Sequence, residues 1–210
     1  MMPAPPQRLG LLGGTFDPIH CGHIYAARVA QRELGLDQVH MIVAARPGHR
    51  HPPEATPEQR LAMLELACAG EQHLIADPIE LNRPGKSYAA DTVACIKGQY
   101  PDAELFWILG EDAYDTLTEW HRWAQLISLC HMIVLQRPGY SGCEPAALTA
   151  LRAAPDHTQI AKLSEAMLDL SATQIRDALR LGRAVDHWLN PAVAAYIDEQ
   201  KLYVNQEDSL

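Results

Sequence analysis

The chain has 210 residues, enough for one compact domain that buries about 70% of its unfolded surface, so it needs no disulfide staples to fold. Lys and Arg number 17 against 26 Asp and Glu, a formal net charge of −9, which excludes a surface that as a whole tracks nucleic acid or an anionic membrane but leaves room for a small cationic pocket. Hydrophobic residues make 48% of the chain and charged residues 20%, a globular rather than a disordered composition.

The stretch Met1 to Pro6 has neither a basic region followed by an apolar one nor a cleavage-like site, so no secretory signal is expected. Leu126 to Leu135, the longest apolar run, is interrupted by Ser128 and His131 and falls short of the roughly 20 residues a membrane span needs. The five cysteines, Cys21, Cys68, Cys95, Cys130 and Cys143, are widely spaced and form no CxxC pair of the kind that builds a zinc knuckle or a redox dithiol. The expectation is a cytoplasmic protein with reduced thiols and without membrane or nucleic-acid partners, for which a homodimer stays open.

Arg8-Leu9-Gly10-Leu11-Leu12 reads as a buried strand entering a glycine turn at Gly13-Gly14, followed by an amphipathic helix from about His23 to Leu34 that Gly35 closes. Val39 to Val43 is a second strand, emptying into the basic, proline-rich loop Arg46-Pro47-Gly48-His49-Arg50-His51-Pro52-Pro53. Thr56-Pro57-Glu58-Gln59 has the marks of a helix start: a capping hydroxyl, proline in the first position and acid at the positive helix end, leading into Leu61 to Ala69. Short strands follow at Leu74 to Ala76, Leu105 to Leu109 and His131 to Leu135, separated by helices at about Tyr88 to Lys97 and Trp123 to Leu129. Gly139 to His157, richer in Pro, Ala and Gly, is expected to be a variable connection. A last strand is expected over Ile160 to Met167, then helices from Ser171 to near Gly182 and from Pro191 to about Gln200. This alternation predicts an α/β fold: a Rossmann-like, doubly wound, mainly parallel sheet with helices on both faces and ligands beyond the carboxyl ends of the strands. Residues 1–210 are expected to form a single domain whose part from about 170 to 210 is helical.

The first stretch that carries chemistry is Gly13-Gly14-Thr15-Phe16-Asp17-Pro18-Ile19-His20-Cys21-Gly22-His23. Two glycines straight after a strand let the backbone approach a ligand, and N–H groups at the following helix start attract phosphate; a plain structural turn would use the same glycines. His20 and His23 flank Gly22 where the helix begins, so their ring donors can converge on the anion that the backbone holds. A histidine pair is also half of a zinc site, but His49 and His51, the further ligands on offer, lack metal-site spacing. Cys21 is a poor nucleophile candidate, since side chains at adjacent positions diverge. Near the other end, Ser171-Ala172-Thr173-Gln174-Ile175-Arg176 puts hydroxyls at a helix start and an arginine in its first turn, either an ordinary N-cap or an anion clamp. Gly110 and Asp112 follow the central strand, where glycine permits close approach and the aspartate either caps a helix or accepts from a hydroxyl. Trp120 lies in the polar context Thr118-Glu119-Trp120-His121-Arg122 and suits either stacking on a ring or packing. Arg46, His49, Arg50 and Arg137 are candidate phosphate contacts, with a solvated basic face as the alternative for the loop members.

The first stretch resembles the signature of the HxGH nucleotidyltransferases, and the likeness runs on. Gly13 to His20, Pro47-Gly48-His49-Arg50, Ser87-Tyr88-Ala89-Ala90-Asp91-Thr92, Gly110-Glu111-Asp112 with Trp120, Arg137-Pro138-Gly139 and Ser171 to Arg176 occur in the order seen in bacterial nicotinate-nucleotide adenylyltransferases. The span reaches from Leu9 to Tyr203, and an ordered set of six motifs is far more specific than any one of them.

That resemblance implies transfer of the adenylyl group of ATP to the 5′-phosphate of nicotinate mononucleotide, with pyrophosphate as the second product. The small-molecule partners are then ATP and the mononucleotide, and the cofactor is Mg²⁺ carried by the phosphates of ATP rather than by protein side chains. It implies catalytic roles for His20 and His23. It further implies ATP contacts at Gly13, Gly14, Thr15, Phe16, Gly110 and Asp112, with Ser171, Thr173 and Arg176 on the β- and γ-phosphates. Mononucleotide contacts fall at Arg46, His49, Arg50, Trp120 and Arg137, while Tyr88 and Ala89 read the nicotinate carboxylate through backbone N–H groups. The chain departs from the pattern at Val43-Ala44, where relatives read Pro-Asn, and at Gly48, where they read proline; an amide side chain and a stiff residue are lost. Mononucleotide affinity and the margin of acid over amide preference are what these departures touch. Transfer to nicotinamide mononucleotide or another phosphomonoester, and a nucleotide-binding regulator without turnover, are the alternative readings. The intact set of leaving-group contacts counts against the regulator.

Overall fold

A computed structural model describes residues 6–48, 52–154 and 160–204. Among them the strands β1 (Arg8–Gly14), β2 (Gln38–Val43), β3 (Leu74–Asp77), β4 (Glu104–Gly110), β5 (His131–Gln136) and β6 (Ile160–Ala166) form one sheet in the order β3-β2-β1-β4-β5-β6. Every neighbouring pair is parallel. The helices are α1 (Cys21–Leu34), α2 (Pro57–Cys68), α3 (Ala89–Gln99), α4 (Glu111–Tyr114), α5 (Trp123–Leu129), α6 (Ala146–Ala153), α7 (Ala172–Arg180) and α8 (Pro191–Glu199).

The strands read as continuous apolar runs because both faces of a parallel sheet are covered. In β4, Phe106 and Ile108 enter the core that α1, α2, α7 and α8 close with Val29, Met63, Ile175 and Val193. Leu105, Trp107 and Leu109 enter the opposite core with Val93 and Ile96 of α3, Leu126 of α5 and Leu148 of α6. The helix ends follow local chemistry. Thr56 Oγ1 accepts from the Gln59 N–H at 3.2 Å while Gln59 Oε1 accepts from the Thr56 N–H at 2.9 Å, a reciprocal cap ahead of Pro57. Gly35 ends α1 with φ 58, a left-handed conformation that suits glycine.

The predicted fold class is the one observed, with a fully parallel sheet. Three details differ. Helix α1 begins at Cys21 rather than His23, since His20 is its N-cap. The segment 139–157, expected to be a variable connection and assigned no helix, carries α6, whose alanine content favours a helix and whose Leu148 anchors it in the core. Between β4 and α5 lie α4 and a 3-10 turn, Leu117–Glu119, both too short to show a period in sequence. The chain lays β1, β2 and β3 outward, then crosses to the other side of β1 with β4. The crevice at that reversal opens beyond Gly14 and Gly110, the last residues of β1 and β4.

Candidate active site

Both strands that flank the crevice end bare for a reason. A Cβ on Gly13 would sit 2.8 Å from the Trp107 ring and one on Gly14 2.6 Å from the Phe16 ring, while one on Gly110 would meet Asp112 Oδ1 at 2.7 Å. Phe16 takes a left-handed φ of 51, is buried, and presents its ring edgewise to His23 at 5.0 Å between centroids.

His20 and His23 stack, with centroids 3.7 Å apart and planes 28° from parallel. The His20 backbone N–H donates to His23 Nδ1 at 3.4 Å, which leaves the proton of neutral His23 on Nε2. Burial pulls the His20 pKa down from 6.5 to about 4, with the positive charge of Arg137 as the lesser cause; burial and then His20 hold His23 well below its ordinary value. Both rings are therefore neutral at pH 7. His20 Nδ1 is buried with no hydrogen-bond partner among the described residues, the kind of orphan that a ligand satisfies.

Several buried groups absent from the sequence reading hold this turn. Arg60 of α2, 1% exposed, donates Nη1 to Thr15 O at 2.7 Å and Ala44 O at 2.8 Å, Nη2 to Ala45 O at 3.4 Å and Nε to Ala55 O at 3.2 Å. Asp17 accepts from the N–H groups of Glu54 and Ala55 and from the Tyr203 hydroxyl at 2.7 Å, so the last described turn is tied to the first loop. Nothing in the sequence marks Arg60, since a lone arginine in a helix reads as surface. Asp17 lies within the quoted stretch but is silent there about its partners.

The predicted C-terminal residues converge on the same turn. Ser171 caps α7, accepting from the Gln174 N–H at 3.3 Å, and Thr173 Oγ1 accepts from Arg176 Nη2 at 3.3 Å. Arg176 also donates Nη1 to Asp17 O at 2.7 Å and Nε to Glu54 Oε1 at 2.9 Å. On the β4–β5 side, Arg137 Nη1 pairs with Asp112 Oδ2 at 2.8 Å, and the Arg137 N–H donates to Glu111 Oε2 at 3.2 Å.

Four of the candidates for the second substrate, Tyr88, Ala89, Trp120 and Arg46, lie around the start of α3, while Arg137 stands apart on the β4–β5 side. Tyr88 is the N-cap of α3 and Ala89 its first residue, so the Ala89 N–H is one of the helix-start donors. The Tyr88 ring stacks on His121 at 4.1 Å, beside half-buried Trp120, and Arg122 pairs with Asp91 of α3. Trp120 also packs against the α3–α5 core. Arg46 is a brace rather than a free cation: its N–H donates to Ser87 Oγ at 3.0 Å and its Nη1 to Arg83 O at 3.3 Å. His49 and Arg50 lie outside the described residues. Among the described residues no group of three or more His, Cys, Asp or Glu is placed to hold a metal ion, and no helix is long and apolar enough to cross a membrane.

The family described as cytidylyltransferase-like matches residues 11–178. Proteins named as nicotinate-nucleotide adenylyltransferases are similar over nearly full length: 41% identical in Pseudomonas fluorescens, covering 94% of this chain and 97% of that one, and 43% in Bordetella pertussis, covering 93% and 98%. This chain belongs to the nicotinate-nucleotide adenylyltransferase family. The fold agrees: a nicotinic acid mononucleotide adenylyltransferase of Plasmodium falciparum superposes with a TM-score of 0.74 at 15% identity, covering 94% of this chain and 97% of that one.

Proposed function

We propose that this protein transfers the adenylyl group of ATP to nicotinate mononucleotide, giving nicotinate adenine dinucleotide and pyrophosphate. An oxygen of the mononucleotide phosphate forms a bond to the α-phosphorus of ATP, and the bond from that phosphorus to the bridging oxygen breaks, the electron pair leaving with pyrophosphate. A phosphomonoester has a second pKa near 6 and is ionised at pH 7, so the nucleophile needs no base. The observation that carries the reading is the neutral His20–His23 stack at the start of α1, with His20 buried and His23 half-buried, beside the bare Gly13-Gly14 turn. Imidazoles held this far below their ordinary pKa are poor bases and good fixed donors. The N–H of His23 Nε2 and the backbone N–H groups of the turn would stabilise charge that builds on the transferring phosphoryl group.

Ser171, Thr173 and Arg176 would take the leaving phosphates, and Asp112 a ribose hydroxyl. Tyr88 and Ala89 would offer backbone N–H groups to the nicotinate carboxylate. A carboxamide would turn an NH₂ toward one of those donors and leave both unpaired, which favours the acid. Trp120 would stack on the pyridine ring. Mg²⁺ would arrive held by the phosphates of ATP. When bound, it neutralises charge on the transferring phosphates. The five free thiols suit a cytoplasmic setting.

The test is pyrophosphate release with ATP and Mg²⁺, comparing nicotinate with nicotinamide mononucleotide and confirming the dinucleotide by mass. A strong preference for the acid is expected. Equal rates would overturn the acid specificity, and no release with either would overturn the enzymatic reading.

A further inference from the structure

Glu54, in the segment leading into α2, belongs to none of the six motifs, yet it sits on the residue expected to hold the end of the triphosphate. Its carboxylate accepts from Arg176 Nε at 2.9 Å and from Arg180 Nη2 at 2.5 and 2.6 Å. The two arginines stand four residues apart on α7 and so share a face. The Glu54 N–H donates to Asp17 Oδ2 at 2.9 Å, so its main chain is fixed to the β1–α1 turn while its carboxylate spans to α7.

We infer that the Glu54 carboxylate stands in for the terminal phosphate of ATP on the Arg176–Arg180 pair and is displaced by it when ATP binds. This rests on the adenylyltransferase reading above. The site is built for exchange. A guanidinium takes a carboxylate or a phosphate through the same fork of N–H groups. Of the three side chains Glu54 is the most exposed, at 41% against 19% for Arg176 and 33% for Arg180, so it is the one that leaves for water most readily. Arg176 has five N–H groups and spends one on Glu54, one on Asp17 O and one on Thr173 Oγ1, which keeps donors for an incoming phosphate. Asp177 Oδ1 also accepts from Arg180 Nη1 at 2.9 Å and the Asp17 carboxylate lies 3.9 Å from Arg176 Nη1, so removing Glu54 does not bare the pair but raises the charge of the cluster by one, in favour of an incoming phosphate. In the ligand-free state the carboxylate keeps two like charges compatible and α7 docked. As pyrophosphate departs it retakes the arginines, which weakens the hold on the leaving group. ATP affinity is then lower than the arginine pair alone would give, by the population of the occupied state.

Glu54→Gln keeps the shape and removes the charge. Without acceptor substrate, calorimetry on the whole chain should show ATP bound about fivefold to tenfold more tightly than by wild type, with AMP changed less than about twofold. Unchanged or weaker ATP binding would overturn the inference and leave Glu54 as a structural tie; an equal gain for AMP would reduce it to long-range charge. Should Glu54→Gln loosen α7, as its thermal midpoint would show, Arg180→Gln decides: it should weaken ATP about fivefold while sparing AMP, and no change in ATP affinity would sink the exchange. Dinucleotide synthesis by the wild-type chain reports separately on the function: a wild type that binds ATP and makes no dinucleotide fails that reading, not this one.

Discussion

Replacing Arg60 with methionine keeps most of the buried stem and removes every N–H of the guanidinium. Three carbonyls, those of Thr15, Ala44 and Ala55, lose donors at 3.2 Å or less, and that of Ala45 loses a longer contact at 3.4 Å. Buried acceptors left without a partner cost about 1–3 kcal/mol each, while desolvation of the guanidinium is relieved, so a net loss of about 3 kcal/mol is expected. Burial lowers the Arg60 pKa, which fits a strained cation whose removal returns part of the cost; nearby Asp17 opposes that shift. Urea unfolding is the assay: with a slope of about 2–3 kcal/mol/M the midpoint should fall by roughly 1–1.5 M at unchanged slope. Turnover should fall too, because the Thr15 carbonyl belongs to the turn that presents N–H groups to phosphate. Arg60→Lys should recover less than half, since one ammonium cannot reach carbonyls spread over three segments. A midpoint within about 0.3 M of wild type would refute the account of Arg60 as the brace of this turn.

His23→Ala should lower kcat about a hundredfold while ATP binding stays close to wild type, the pattern for losing one donor to transition-state charge; single-turnover rates like wild type would dismiss that role. His20 sets a pH dependence. Its folded pKa is about 4 against an ordinary 6.5, so below pH 6.5 the unfolded chain takes up a proton that the folded site refuses. Stability should therefore fall as pH drops from 6.5 to about 4, by up to about 3 kcal/mol from this group, and level off below. His20→Gln should flatten that slope in pH-dependent unfolding, and an unaltered slope would place the effect elsewhere. Trp120→Ala should raise KM for the mononucleotide and leave KM for ATP nearly unchanged, whereas equal shifts in both would assign Trp120 to packing alone.

The strands and the order of the motifs were legible because a parallel sheet writes itself as apolar runs broken by glycine, and because Gly13, Gly14 and Gly110 have steric reasons visible in the sequence as bare strand ends. The partners of the site residues were not. The resemblance implies phosphate contacts at Arg176 and Ser171, with capping as the plain alternative, and in the structure Ser171 is a cap and Arg176 is paired. Arg60, Glu54 and Tyr203 meet Thr15, Arg176 and Asp17 across 45, 122 and 186 residues of chain respectively, and no local pattern encodes such pairings. The helix α6 was missed because Pro and Gly around it outweighed its short alanine run.

The departures from the family pattern can be weighed in the same terms. Val43 is fully buried at the end of β2, facing the core, and Ala44 contributes backbone: its N–H donates to Gly14 O at 2.8 Å and its carbonyl accepts from Arg60. The join between β2 and the turn is thus made without any amide side chain. On the function proposed above, the choice of acid over amide would fall to the start of α3, and that segment is braced from two sides. Arg46 holds Ser87 and the carbonyl of Arg83, while the fully buried Thr92 hydroxyl donates to Glu80 Oε1 at 2.5 Å and accepts from Arg83 Nη2 at 3.1 Å. Backbone donors discriminate only as well as they are held in place. On the function proposed above, a Tyr88–Ala89 corner held in this way would favour a carboxylate with no help from an amide side chain at position 44.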